Sequence, residues 1–131
     1  MRSLPRDGPL GRHLFADFQG VTEERLADPD FIEAALREAA YAAGATPLFG
    51  KFHQFGAGLG VTGVLLLKES HISIHTWPEY GFAAVDAFMC GDSHPEKAIE
   101  VLRKALQPAV VRLKNETRGM LESVLMGLAG R

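Results

Sequence analysis

The chain has 131 residues, of which 47% are hydrophobic and 23% charged, and its net charge is −2. These values are typical of a globular protein, and the length suits a single domain over residues 1–131. Acidic and basic residues are interleaved, which argues against nucleic-acid partners, and apolar runs such as residues 64–67 are far too short to span a membrane. One cysteine, Cys90, suits a reducing compartment, so we expect a cytoplasmic protein without a membrane partner.

The first third of the chain predicts an arm, a strand and a helix. Residues 1–9 contain two prolines and little apolar content, so we expect a loose arm. Residues 1–13 contain no apolar run long enough for a signal peptide. Residues 10–21 alternate between apolar and polar side chains, as in a strand. Asp30 is placed to cap a helix that runs to about Ala43, where Gly44 supplies a left-handed stop.

The middle of the chain predicts a run of strands. Residues 46–55 and 61–67 are strand-like and are separated by the glycine-rich loop 56–60. A further strand is expected over residues 71–76, and another over 80–90. Because most of these strands follow one another through short loops, they favour antiparallel pairing.

The last third of the chain predicts a second helix and a last strand. Ser93 and Glu96 have the spacing of a capping box, and Pro108 lies beyond the helix end. Residues 110–113 predict a short strand, and residues 120–128 a terminal helix.

This order of elements predicts an α+β fold. Two amphipathic helices can cover only one face of a mainly antiparallel sheet, which gives a two-layer sandwich. The other face would be exposed in a single chain. We therefore expect a homodimer, which would bury sheet against sheet or edge against edge.

Two histidines in the fourth predicted strand raise the question of a metal site. His71, Ser73 and His75 share one face if the strand is regular. However, His71 and His75 would be about 13 Å apart along the strand, too far for ligands that bind one ion at about 2 Å. We therefore expect no metal in this segment.

Residues 69–81, ESHISIHTWPEYG, concentrate reactive side chains in one block. Each has an ordinary structural interpretation when it is taken alone. Together they closely resemble the sequence signature of the prokaryotic S-adenosylmethionine decarboxylase proenzymes, which are pyruvoyl-dependent. The resemblance covers roughly residues 10–119, with further matches at residues 11–14, 60–63, 83–86, 88–91 and 118–119.

The resemblance implies that the chain cuts itself between Glu69 and Ser70. The products would be a β chain, residues 1–69, and an α chain, residues 70–131. Ser70 would become a covalent pyruvoyl group, which forms a Schiff base with the substrate amine. His75 matches the family's proton acceptor for processing.

The resemblance also implies a substrate site for S-adenosylmethionine. Cys90 matches the proton donor of decarboxylation, and Phe55 matches the residue on which adenine stacks. Glu79 would accept hydrogen bonds from the ribose hydroxyls, and Trp77 is a candidate for contact with the sulfonium. Thr62, at the same site, carries a hydroxyl that could assist processing. The product would supply the aminopropyl group for spermidine.

One departure from the family's pattern and one geometric point leave alternatives open. The loop 56–60 lacks a proline that many members have and is one residue longer, so the substrate could instead be arginine or ornithine. An uncleaved, non-catalytic homologue is a third alternative, which the presence of Ser70, His75 and Cys90 disfavours. Since a regular pleat would put Ser70 and His75 on opposite faces, we expect a bend or bulge near Ser70.

Overall fold

Six strands form one sheet in the computed structural model, which describes residues 9–119. In chain order these strands are β1 (Pro9–Gln19), β2 (Pro47–Gln54), β3 (Val61–Leu67), β4 (Ser70–Trp77), β5 (Phe82–Met89) and β6 (Val110–Gly119). Their spatial order is β2-β3-β4-β5-β1-β6, and each neighbouring pair is antiparallel. The helices are α1 (Glu23–Leu26), α2 (Pro29–Ala42) and α3 (Pro95–Leu106), and residues Pro78–Tyr80 form one 3-10 turn.

The two longer helices pack on one face of the sheet. Every second residue of the central strands points to that face and is buried, as the strict alternation in β5 shows. The largest fully buried side chains come from both layers and include Phe18, Leu36, Leu65, Ile72, Ile74 and Leu102. The predicted fold class is therefore confirmed: an α+β sandwich of an antiparallel sheet with helices on one face.

The opposite face of the sheet carries the partly exposed residues of the same strands. In β4, Ile72 and Ile74 are fully buried against the helices, whereas His71, Ser73 and His75 are not. The prediction that these three polar residues share one face is confirmed.

None of the helices between residues 9 and 119 has the length and apolarity that a membrane span requires.

The first predicted helix cap is wrong by two residues. Asp28, not Asp30, is the cap, because its Oδ1 accepts hydrogen bonds from the backbone N–H groups of Asp30 and Phe31, both at 3.1 Å. Pro29 then occupies the first helical position, where its missing N–H costs no hydrogen bond. Gly44, with φ of +76°, ends the helix as predicted.

The predicted capping box of the second helix is also wrong. The residue at the cap of α3 is His94, which makes no side-chain capping bond, and Ser93 is buried. Glu96 instead accepts a hydrogen bond from Arg12 Nη2 at 2.5 Å. Its side chain therefore ties the first turn of α3 to β1 instead of closing its own helix.

Two strand boundaries and one short helix also differ from the prediction. β5 begins at Phe82, since the 3-10 turn and Gly81, with φ of +61°, precede it. β6 continues to Gly119 because it pairs with β1 along nearly its whole length, although its own residues are mostly polar. The four-residue helix α1 was not predicted. The expected helix at 120–128 lies outside the described residues, as does nearly all of the expected arm.

Candidate active site

A cleft of about 360 Å³ lies beside the loop that joins β2 to β3. Five of the residues predicted from the sequence meet there, although they come from three different segments of the chain. Three further lining residues were not predicted from the sequence: Leu59, Gly60 and Thr76. The complete lining is Phe55, Leu59, Gly60, Thr62, His75, Thr76, Trp77 and Glu79.

The polar end of this cleft is organised by strand pairing. Thr62 and His75 are directly opposite each other on β3 and β4, and Thr62 Oγ1 lies 3.2 Å from His75 Nδ1. The rings of His75 and Trp77 follow on the same face, with centroids 6.5 Å apart. A hydroxyl that is hydrogen-bonded to Nδ1 of an imidazole can fix the orientation of the ring, so that Nε2 faces a bound molecule.

The loop beside the cleft is held by hydrogen bonds. The Phe55 N–H donates to the Gly60 carbonyl at 3.0 Å, and the Gln54 amide donates to the Leu59 carbonyl at 3.2 Å. A Cβ on Gly60 would lie 2.2 Å from the Thr76 carbonyl oxygen, so only glycine fits that close approach. The loop therefore presents the exposed Phe55 and Leu59 side chains at the cleft rim.

A second group of predicted residues lies at the opposite end of β4. Ser70 is the first residue of this strand, and the Cys90 N–H donates to the Glu69 carbonyl oxygen at 3.0 Å. The Glu69 side chain accepts a hydrogen bond from the Thr46 N–H at 2.9 Å, and the Lys68 N–H donates to the Thr46 carbonyl at 2.9 Å. Hydrogen bonds thus fix Glu69, the residue before Ser70, through both its side chain, bound by Thr46, and its carbonyl, bound by Cys90.

The backbone of Ser70 is strained. Its φ is +142°, a value that non-glycine residues rarely adopt and that costs roughly 1–3 kcal/mol. Of the predicted bend or bulge near Ser70, the bulge is not observed, because the register of β4 with both neighbours is continuous from Ser70 onward. The irregularity lies in the φ angle of Ser70 itself, next to the 69–70 peptide.

The two groups of residues are well separated within one chain. Ser70 and His75 are five residues apart on β4, which corresponds to about 16 Å of strand. By register, Ser70 pairs with the buried Leu67 and Met89, whereas His75 pairs with Thr62 on the other face. The fold therefore gathers the cleft residues at one end of β4 and the junction residues, Glu69, Ser70 and Cys90, at the other. Within one chain, the two groups remain apart.

A third polar cluster, which was not predicted from the sequence, surrounds Asp86. Asp86 Oδ2 lies 2.6 Å from His13 Nε2 and 2.8 Å from His71 Nε2, and the Ser73 hydroxyl donates to Asp86 Oδ1. Burial tends to raise the pKa of Asp86, but the hydrogen bonds from Ser73, His13 and His71 outweigh it and lower this pKa below its usual value. His13 and Asp86 are 73 residues apart, so only knowledge of the strand order could have revealed the cluster.

Comparisons with known proteins agree on one family. Residues 12–119 match the family described as S-adenosylmethionine decarboxylase. The S-adenosylmethionine decarboxylase proenzyme of Thermotoga petrophila is 46% identical over 116 residues, covering 88% of each chain. That of Acidithiobacillus ferrooxidans is 42% identical over 120 residues, covering 91% of this chain and 88% of that one. The crystal structure of adenosylmethionine decarboxylase from Aquifex aeolicus has a TM-score of 0.79 at 36% identity, and the match covers 87% of this chain and 94% of that one.

Proposed function

The chain belongs to the S-adenosylmethionine decarboxylase family, and we propose that it is a self-processing proenzyme whose mature form decarboxylates S-adenosylmethionine. The product, S-adenosylmethioninamine, would be the aminopropyl donor for spermidine synthesis, made in the cytoplasm. The observation that carries the proposal is the 69–70 peptide. It combines a strained Ser70 φ of +142° with a Glu69 carbonyl already bound by the Cys90 N–H.

Self-processing would begin at this peptide. The Ser70 hydroxyl oxygen attacks the Glu69 carbonyl carbon, the C–N bond breaks, and the amide becomes an ester. Negative charge develops on the Glu69 carbonyl oxygen, where the Cys90 N–H, 3.0 Å away in the ground state, would stabilise it. Breaking the peptide also relieves the strain at Ser70, which lowers the barrier for this bond relative to its neighbours.

The ester is then resolved by elimination. A base removes the Ser70 Cα proton, Glu69 leaves as a carboxylate, and a dehydroalanine forms at position 70. Water adds and ammonia leaves, so the α chain would start with a pyruvoyl group and the β chain would end at Glu69. No external oxidant is required, since elimination and hydrolysis account for every atom and electron.

The residues at the junction fit such a group. Ser70 carries the β-oxygen that elimination requires, and Cys90 follows directly after β5, whose Met89 pairs with Ser70. The pyruvoyl carbonyl supplies an acceptor for the electrons left behind by departing CO₂. The Cys90 thiol, which is partly buried, would return a proton to the substrate carbon.

The cleft residues suit the nucleoside part of the substrate. The Phe55 ring is 62% exposed and stands at the cleft rim, as an adenine-stacking residue must. Glu79 in the same cleft would accept hydrogen bonds from two ribose hydroxyls, and Trp77 offers an aromatic face to the sulfonium. Arginine and ornithine have no ribose or adenine, so they would leave Phe55 and Glu79 without a role.

We further propose that the complete site needs two chains. About 16 Å of strand separates Ser70 from His75, which is too far for proton transfer within one chain. A homodimer in which the exposed sheet faces meet would allow His75, Thr62 and Phe55 of one chain to approach Ser70 and Cys90 of the other. His75 would then serve as proton acceptor for processing in its partner.

The Ser70→Ala variant tests the proposed function. Wild-type protein is expected to give two fragments by mass spectrometry, the second starting with a pyruvoyl group at position 70. It should release CO₂ from S-adenosylmethionine but not from arginine or ornithine assayed in parallel. Ser70→Ala should stay intact and inactive because it lacks the attacking oxygen, whereas the control Ser73→Ala, on the same strand, should be cleaved. Cleavage in Ser70→Ala, or an intact and fully active wild-type chain, would refute the mechanism.

A further inference from the structure

The cluster of His13, His71 and Asp86 has no role in the proposed decarboxylation. It lies on the sheet face opposite the helices, and its members come from β1, β4 and β5. We propose that these three side chains form a binding site for a divalent transition-metal ion, with zinc as the expected ion.

The geometry of the cluster suits three ligands to one ion. His13 Nε2 and His71 Nε2 both point at Asp86 Oδ2, and one ligand atom from each of the three residues lies within 4.8 Å of the other two. Around a tetrahedral zinc with bonds of about 2 Å, ligand atoms are roughly 3.3 Å apart. The present contacts of 2.6 and 2.8 Å would need to open by about half an ångström, which small side-chain rotations can supply.

Neighbouring groups hold the ligands in orientation. Ser73 is directly opposite Asp86 in the strand register, and its hydroxyl donates to Oδ1, which leaves Oδ2 directed at both imidazoles. The His13 ring stacks on Phe15 with centroids 4.2 Å apart. On the intervening strand β5, Phe88 is directly opposite His13 of β1 and His71 of β4. In protein metal sites, a hydrogen bond to the second oxygen of a ligand carboxylate orients the ligand, and apolar neighbours limit access of solvent.

In a single chain, before the proposed homodimer covers this sheet face, the cluster is also accessible from one side. The side chains of His13, Asp86 and His71 are 13%, 21% and 33% exposed, and a cleft of about 380 Å³ on the same face reaches Asp86. This space allows an ion to enter and a water molecule to complete its coordination. Two imidazole nitrogens with one carboxylate favour zinc, cobalt or nickel over magnesium and calcium, which prefer all-oxygen sites.

Direct metal titration tests the site without any measurement of activity. Full-length protein is stripped with a chelator and titrated with cobalt chloride, followed by visible absorption, while bound zinc is counted by equilibrium dialysis and elemental analysis. One ion per chain and a cobalt d–d band are expected, and zinc should raise the midpoint of thermal unfolding. The Ser70→Ala variant should bind identically, so the result does not depend on the proposed processing.

Variants assign the binding to these residues. His71→Gln and Asp86→Asn should each weaken binding by about 10-fold or more, whereas the control His94→Gln, a half-exposed histidine outside the cluster, should not. Ser73→Ala keeps all three ligands and should weaken binding by about 10-fold, which supplies a test if a ligand variant fails to fold. The proposal is overturned if no cobalt band forms, or if folded His71→Gln binds zinc as tightly as the wild type.

Discussion

At the scale of single residues, the surroundings of Ser70 are the main support for the proposed self-processing. Its backbone has an unfavourable φ of +142°, and the preceding carbonyl is bound by the Cys90 N–H. The strain and the bound carbonyl both act on the same peptide bond, the one that the proposed processing breaks. Thr46 holds Glu69 from the other side, which limits how far the chain can relax.

Cys90 offers a test that separates its backbone from its side chain. Cys90→Ala keeps the N–H that binds the Glu69 carbonyl, so self-cleavage should proceed as in the wild type. Loss of the thiol removes the proposed proton donor, and kcat for S-adenosylmethionine should fall by about 10²–10⁴-fold. Mass spectrometry measures cleavage, and CO₂ release measures turnover. Wild-type kcat in cleaved Cys90→Ala would show that another group donates the proton.

At the scale of single elements, turn and cap chemistry decide boundaries that apolar periodicity leaves uncertain. The segment Asp28-Pro29-Asp30 offers two acidic caps, and proline at the first helical position favours the first of them. For α3, Ser93 and Glu96 have the right spacing, but Ser93 is buried and Glu96 is engaged with Arg12. A local motif is thus overridden when its side chains find tertiary partners.

The corrected cap predicts a stability difference between two neighbouring aspartates. Asp28→Ala should lower the free energy of unfolding by about 1 kcal/mol, because the N–H groups of Asp30 and Phe31 lose their acceptor. Asp30→Ala loses only a favourable interaction with the helix dipole and should cost about 0.3–1 kcal/mol. Urea unfolding in the Ser70→Ala background, which should remain one chain, measures both. An equal or larger loss for Asp30→Ala would contradict the assignment of Asp28 as the cap.

At the scale of the whole molecule, the sheet places the cleft and the junction at opposite ends of β4. Phe55, Thr62 and His75 belong to the cleft, whereas Ser70 and Cys90 belong to the junction. The sheet face that carries His75 is left exposed by the helices. This arrangement is what leads us to propose a homodimer with shared sites.

Co-expression of two defective chains tests the shared site. Ser70→Ala and His75→Ala chains, distinguished by mass, should each remain uncleaved when produced alone. In a mixed dimer the intact His75 of one chain meets the intact Ser70 of the other, so the His75→Ala chain should be cleaved at 69–70. Mass spectrometry of the co-expressed material measures this. No cleavage in verified mixed dimers would place both groups in the same chain.

The sequence alone was sufficient for the features that depend on local pattern. The strands predicted over residues 71–76 and 80–90 correspond to β4 and β5, although β5 begins two residues later than predicted, and Gly44 marks the end of α2. The block 69–81 indicated the family, because its residue types and spacing are specific without any knowledge of the fold.

Only the tertiary structure decided which distant residues meet. The polar segment of β6 became a strand because β1 supplies its hydrogen bonds, and His13 met Asp86 because β1 lies beside β5. The separation of Ser70 from His75 likewise follows from a strand register that is continuous between them. Periodicity reports which face a residue occupies, but strand order and register, which the packing of the whole chain sets, determine its neighbours.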